Sequence, residues 1–564
     1  MPPYAVKRAW FRVCNAGMYC YRSCIMPFFA VCLCENRDKK PWERMFLRLF
    51  LIQKEGYDIM SIINVNNLTY YYDGCDEAVY ENVSFTLDTT WKTGLIGRNG
   101  RGKTTLLKLL TGELENGGAV NTKAEFLYFP FDVEDKNMTG GELIGIICPE
   151  VQEWEVIREL SYMGTDCEIL YRPFSTLSGG EQTRLLLCLL FLRDNAFLLI
   201  DEPTNCLDLD AREAIGDYLK TKSGFILVSH DRDLLDKCTD HILSLNRSDT
   251  EIINGNYSVW KENFDRKEAN ERMRDKKLKS EIGHLKAAAE RSKKWADTAE
   301  GRKIGIDPTK TEKSPDRRAI EGAKAKAMMK RMKAVESRRQ TAIDEKSELL
   351  KNREYIDTLK IPSIKAKSAT VLSVQNLVPY YCDYCDNDNG NALCEPVSFT
   401  LSYGERLCLS GKNGCGKSTI LKIIAGADIS YSGSIAKAPG LKISVLPQDT
   451  NGLCGTLDEL SERLGVDAEL VRAILAKLGF SRRELISRTE NLSAGQKKKV
   501  LIAGSLATPA NLYIWDEPLN FVDIISRIQL ERLLGANTPT MLLAEHDRYF
   551  CENTGTKRLY ITKG

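Results

Sequence analysis

Apolar and polar positions alternate in short blocks along most of the chain. Mostly apolar runs at 93–96 and 197–200 recur much later at 406–410 and 512–515, and each is followed at once by glycine or by carboxylates. Such runs read as buried strands of an open α/β sheet, whose C-terminal edge is where ligands bind. The longest clean apolar stretches, such as 185–192, are far short of the roughly 18–20 residues that a membrane helix needs. Nothing here is expected to cross a bilayer.

The block pattern is a duplication. VSFTL occurs at 83–87 and again at 397–401, an offset of 314, and Lys103 and Lys417 are separated by the same 314. The segments ending in Tyr72 and Tyr381 also correspond, but the second is followed by an insertion containing Cys382, Cys385 and 387–391. This insertion reads as a hairpin loop. Its Cys-x-x-Cys pair has no second pair at ligand spacing to complete a zinc site.

Between the copies the apolar period changes to seven. Leu278 and Leu285, and Ile282 and Ala289, are so spaced, and later Met328, Val335, Ala342, Leu349 and Ile356 keep the interval. Two long helices flank residues 301–315, rich in Gly, Pro, Thr and Lys, which predicts an antiparallel helical hairpin with a mobile basic tip. Residues 261–360 hold 29 Lys and Arg against 19 Asp and Glu, a net +10 in a chain whose total is +2. That segregation of sign points to a polyanionic partner; a solvated coiled coil with ordinary surface charge is the plainer alternative.

Composition adds bounds. The 564 residues, 43% of them hydrophobic, suffice for three or so domains with full cores. The eighteen cysteines are irregularly scattered, and Cys206 and Cys415 fall inside motifs described below, so reduced thiols and a cytoplasmic address are expected. Residues 1–59 differ from the rest. A basic start before the apolar stretch 25–34 resembles a signal peptide, without a small-residue cleavage site. Lys54-Glu55-Gly56 can be encoded by AAGGAGG-like codons, a bacterial ribosome-binding site, so translation is expected to begin at Met60 and 1–59 to lack a defined fold.

Each copy carries a phosphate-binding loop, GRNGRGKT at 97–104 and GKNGCGKS at 411–418. A strand feeds a glycine-rich turn whose N–H groups face phosphates at a helix N-terminus. The cradle would be lined by Gly97, Asn99, Gly100, Gly102 and Thr105 in one copy and by Gly411, Asn413, Gly414, Gly416 and Thr419 in the other. Lys103 and Lys417 are expected on the β- and γ-phosphates of ATP, and Thr104 and Ser418 on Mg²⁺. Asp201-Glu202 and Asp516-Glu517 each close an apolar strand. The aspartates would hold Mg²⁺ and the glutamates polarise the attacking water. His230 and His546 end further strands 29 and 30 residues after the aspartates, placed to meet the γ-phosphate.

LSGGEQ at 177–182 and LSAGQ at 492–496 each place their serine 23 residues before the aspartate. With these motifs the sequence resembles the ABC ATPases. The resemblance implies two composite sites, each lending its signature to the opposite copy. Lys103, Thr104, Asp201, Glu202 and His230 would meet Ser493, Gly495 and Gln496; Lys417, Ser418, Gln448, Asp516, Glu517 and His546 would meet Ser178, Gly179 and Gly180. It also implies that Tyr72 and Tyr381 stack on adenine and that Gln448 ligates Mg²⁺. Phe131 stands where the first copy should have the counterpart of Gln448, which predicts slower hydrolysis at the first site. Cys206 and Phe521 also depart from the pattern, and nothing in the sequence explains them.

Tandem cassettes, a basic linker of about a hundred residues and no membrane segment resemble the ABC-F family of ribosome-associated ATPases. WKTGLIGRNGRGKTTLL, RPFSTLSGGE, NAFLLIDEPTN, IWDEPLN and AMMKRMK are most similar to its Lsa-type antibiotic-resistance branch. The expected organisation is an extension at 1–59, cassettes at 60–258 and 361–564, and a basic helical hairpin at 259–360. The resemblance implies an ATPase, monomeric with an intramolecular cassette pair, that enters the ribosomal E site, reaches 23S rRNA and P-site tRNA through 261–360, and promotes release of lincosamides, streptogramin A and pleuromutilins. A housekeeping translation factor and the ATPase subunit of a separate transporter are the other readings.

Overall fold

The computed structural model describes residues 62–304, 337 and 360–563, except for 73–77, 116, 194, 205–206, 208, 247–249, 363, 365–367, 382–390 and 451. The extension 1–59, the second hairpin helix and the residues Cys206, Cys382 and Cys385 lie outside the described set. Among the described residues, no helix is long and apolar enough to cross a membrane.

Two cassettes of the same design follow one another. The first is built on a six-stranded sheet in the order Glu125–Phe129, Ala196–Asp201, Phe225–Val228, Lys92–Gly97, His241–Leu245, Thr250–Asn254. The second uses five parallel strands ordered Ile443–Leu446, Leu512–Asp516, Met541–Ala544, Arg406–Ser410, Lys557–Tyr560. The central strands are buried on both faces, which is why they read as unbroken apolar runs rather than alternating ones. Trp515 is fully buried in its strand, and its indole N–H donates to Ser505 Oγ at 2.9 Å.

In each cassette the strand beside the phosphate loop lies one place from Phe225–Val228 or Met541–Ala544, and the strand bearing Asp-Glu lies on the other side. The sheet edge therefore brings loop and carboxylates together. Tyr380 and Tyr381 pair antiparallel with Ala392 and Asn391, so the ends flanking the cysteine insertion form the expected hairpin.

The cassettes meet through the helix Ile524–Asn537 of the second. Its Ile524, Ile525 and Ile528 are buried within the core of the first cassette, each contributing about 1.5–3 kcal/mol. The matching helix of the first cassette, Leu209–Thr221, has Asp210 and Glu213 at the latter two positions, both exposed. Next to the isoleucines, the fully buried Arg232 of the first cassette pairs with Glu531 and, at 3.2 Å, with Asp547 of the second, and Arg527 reaches Asp547 at 2.9 Å. The counterpart of Arg232, Arg548, is exposed and pairs within its own helix with Glu552; the counterpart of Glu531 is Gly216.

The linker leaves the first cassette as one helix, Tyr257–Ile304, of 48 residues. It is longer than expected, continuing through Gly301–Ile304 where the loop was placed to begin. A single exposed glycine costs a helix only about 1 kcal/mol, and proline does not appear until Pro308. Tyr257 and Trp260 bury the base of the helix, and Arg532 of the second cassette grips it at Asp265 (3.1 Å) and Glu268 (2.7 Å).

Arg232→Met should leave Glu531 and Asp547 buried beside too little positive charge, costing about 3–5 kcal/mol. Urea unfolding should show a clear fall in midpoint for this variant and little change for Arg548→Met.

Candidate nucleotide site

Both phosphate loops close onto helices of nine residues, Lys103–Thr111 and Lys417–Ala425, whose N-caps Gly102 and Gly416 have φ of 80° and 88°. At Gly102 a Cβ would stand 2.8 Å from Tyr80 Oη, so both the turn and the close approach require glycine. The buried Lys103 Nζ donates to Gly97 O at 2.9 Å, and Lys417 Nζ to Gly411 O at 2.8 Å and Lys412 O at 2.9 Å. The ammonium groups thus sit inside their loops. Thr104 Oγ1 donates to Asp201 Oδ2 at 2.7 Å and Ser418 Oγ to Asp516 Oδ1 at 2.9 Å. Hydroxyl and carboxylate oxygens alone are the donor set of a hard divalent cation such as Mg²⁺, so these pairs fit one. Burial raises the Asp516 carboxyl above its ordinary range, partly offset by the bond from Ser418.

Glu202 and Glu517 both hold left-handed backbone conformations, with φ of 50° and 46°. This is uncommon for a residue with a long side chain and recurs at functional sites. Nothing in the residue types signals it. Glu202 N–H donates to Val228 O at 2.8 Å and Glu517 N–H to Ala544 O at 3.0 Å, locking both turns to the neighbouring strand. His230 Nε2 lies 3.3 Å from Glu202 Oε1, an oxygen that is buried without a hydrogen-bond partner and could accept from a water. Burial, reinforced by Asp201, pushes the Glu202 carboxyl well up, while burial with Lys103 and Arg527 nearby holds His230 far below its ordinary value, as a neutral imidazole.

The first composite site is assembled. Asn99 of the first loop donates through its backbone to Asp523 Oδ2 at 3.2 Å and through Nδ2 to Phe521 O at 2.6 Å. Gly495 of the opposite signature lies so close to Asn99 Nδ2 and Phe521 O that a Cβ would collide with both. Gln496 Nε2 is near Gly100 and donates to Glu484. Ser493 caps its helix through Gln496 N–H. Thr105 is buried and its hydroxyl meets that of Tyr72 at 2.7 Å; the half-exposed Tyr72 ring packs edge-on to Tyr70.

The second composite site is described through fewer residues, since 205–206 and 208 lie outside the described set. Lys412 Nζ of its loop reaches Asp210 of the first cassette at 3.0 Å, both side chains exposed. Ser178, Gly179 and Gly180 start their own helix, with Ser178 in a capping box with Glu181. Gln448 Nε2 donates to Glu517 Oε2 at 2.8 Å, as does Asn520 Nδ2 at 2.6 Å. In the first cassette Phe131 is partly buried against the core, and Tyr128 Oη donates to Asp201 Oδ2 at 3.2 Å.

Two residues were missed from the sequence. Asp523 caps the helix Ile524–Asn537, binds Asn99 and pairs with Lys499 Nζ at 2.5 Å. Phe521, unexplained by sequence, acts here through its carbonyl, presented to Asn99 by a φ of 62°. Their positions after DEPLN were the available signal.

Two nucleotide loops, two carboxylate-ended strands and a signature helix crossing to the opposite loop define a tandem ATP-binding cassette. The ABC transporter family pattern matches residues 80–205 and 394–520, once per cassette. Ribosome protection protein VmlR of Bacillus subtilis is 27% identical over 90% of this chain and 87% of its own length. ABC transporter F family member 2 of Arabidopsis thaliana is 26% identical over 90% of this chain and 77% of its own. The solved complex of archaeal ribosomal stalk protein aP1 with archaeal ribosome recycling factor aABCE1 is 19% identical, with a TM-score of 0.53 over 88% of this chain and 90% of that one, a likeness of fold. The chain is an ABC-type ATPase. Over about nine-tenths of its length it is similar to an ABC transporter F family member.

Asp523 supplies a pH test. Burial alone would raise its carboxyl, but Lys499 and Lys103 outweigh it and hold the pKa below the ordinary range. A depressed folded value gives stability that is present above the unfolded value of about 3.9 and lost as pH falls through the folded one. The gap in urea midpoint between the natural protein and Asp523→Asn should therefore be widest above about pH 5 and shrink steadily in acid.

Proposed function

We propose that this chain is a ribosomal protection factor, an ATP-hydrolysing protein that enters the ribosomal E site and promotes release of lincosamide, streptogramin A and pleuromutilin antibiotics. The observation that carries this is the likeness to VmlR, which spans both cassettes and the linker rather than the ATPase motifs alone. The long helix rising from the cassettes and the net +10 of residues 261–360 suit a partner made of RNA. The second hairpin arm and the tip lie outside the described residues. A cytoplasmic location and action as a monomer belong to the same reading, as does a division into cassettes at 60–258 and 361–564 around the linker 259–360.

In this reading Mg²⁺ bound at Thr104 with Asp201, and at Ser418 with Asp516, neutralises phosphate charge. Lys103 and Lys417 hold the β- and γ-phosphates, Glu202 and Glu517 orient and polarise the attacking water, and His230 and His546 approach the γ-phosphate. Tyr72 and Tyr381 face adenine. The signatures at Ser493–Gly495 and Ser178–Gly180 close over the opposite nucleotide, so that ATP binding draws the cassettes together and moves the linker. The housekeeping reading uses the same chemistry and differs in the hairpin tip; the transporter reading leaves the basic linker without a purpose.

Expression of the chain in a drug-susceptible bacterium should raise inhibitory concentrations for the three drug groups and leave a macrolide unchanged. Unaltered sensitivity to all of them would favour the housekeeping reading. Replacing Glu202 and Glu517 together by glutamine should reduce ATP turnover at least about 100-fold, retain nucleotide binding and slow growth by stalling ribosomes. Changing Lys330, Arg331 and Lys333 to glutamine should lower the slope of log ribosome affinity against log salt by up to about three and leave basal ATPase activity nearly intact.

A further inference from the structure

Lys498 is 1% exposed, yet its ammonium meets no carboxylate within hydrogen-bond distance. It donates to three main-chain carbonyls, Pro447 O at 3.0 Å, Gln448 O at 3.2 Å and Asp516 O at 3.3 Å. Glu545, Asp516, Glu517 and Asp449 offset part of its burial electrostatically, yet a buried cation whose hydrogen bonds go to neutral carbonyls remains costly. Those carbonyls come from two segments that no backbone ladder joins at this point, the Gln448 loop and the end of the strand carrying Asp516 and Glu517. Across the same gap Gln448 Nε2 reaches Glu517 Oε2.

The first cassette lacks both parts together. Thr183 occupies the position of Lys498 on the signature helix, too short to span such a gap, and Phe131 occupies that of Gln448. Tyr128 instead binds the other carboxylate of the pair, Asp201. Lys498 also lies on the helix whose first turn, Ser493–Gly495, faces the first phosphate loop, so one rigid element borders both composite sites.

We propose that Lys498 is a positioning residue of the second nucleotide site, clamping the Gln448 loop to the strand end so that Gln448 holds Glu517 in register for hydrolysis. The inference rests on the assignment of Glu517 as the water-polarising group there. That assignment is tested separately, by loss of the remaining turnover when Glu517→Gln is added to Glu202→Gln.

The test uses the full chain with one site silenced at a time. With Glu202→Gln confining turnover to the second site, Lys498→Thr, the residue of the first cassette, should lower kcat about 10-fold with KM for ATP nearly unchanged, since Lys498 holds main-chain carbonyls and no side chain assigned to phosphate or adenine. With Glu517→Gln confining turnover to the first site, the same change should have little effect. Added to Gln448→Ala it should cost almost nothing more, because clamp and clamped group act as one unit. Equal slowing at both sites, a rise in KM at constant kcat, or full additivity with Gln448→Ala would each overturn the proposal. Should Lys498→Thr fail to fold, Lys498→Met takes its place in the same three backgrounds.

Discussion

The whole arrangement depends on one helix that belongs to one cassette by sequence and to the other by packing. Ile524–Asn537 follows the carboxylate strand of the second cassette, yet buries three isoleucines in the core of the first. Its N-cap, Asp523, reaches the first phosphate loop; Glu531, two turns on, pairs with Arg232; and Arg532 grips the linker helix. Nucleotide site, cassette interface and linker base are thus joined along about 14 Å of a single rigid element, at 1.5 Å per residue.

The duplicated halves therefore do unequal work. Around the first site the interface is apolar and ion-paired in burial, where removing one partner is expensive. Around the second, Asp210 and Glu213 replace isoleucines, Gly216 replaces Glu531, and the crossing pair Lys412–Asp210 is exposed, where such pairs contribute at most about 1 kcal/mol. The described crossing contact on the second side is thus the exposed one, and on that side Gln448 contacts its glutamate.

Much of the candidate site was legible because phosphate binding demands residue types at fixed spacing. Glycines at left-handed turns, a lysine at the helix start and carboxylates at a strand end leave a pattern that survives without knowledge of the fold. The linker's first arm was equally plain from its sevenfold apolar period, although its length was underestimated because the Gly-, Pro-, Thr- and Lys-rich segment 301–315 was read as loop from its first residue. Phe131 was recognised as a departure, and its packing against the core accounts for how an aromatic ring is tolerated there.

The sequence by itself determined the two cassettes, their loops and carboxylates, and the basic segment between them, since each depends on neighbours close along the chain. Only the tertiary structure decided which half of the interface is welded, that Asp523 and the carbonyl of Phe521 serve the opposite loop, and that a buried lysine spans the second site. Those contacts join residues up to 424 positions apart, and a cation held by carbonyls or a carbonyl turned by a positive φ depends on main-chain placement, which leaves no mark in side-chain identity.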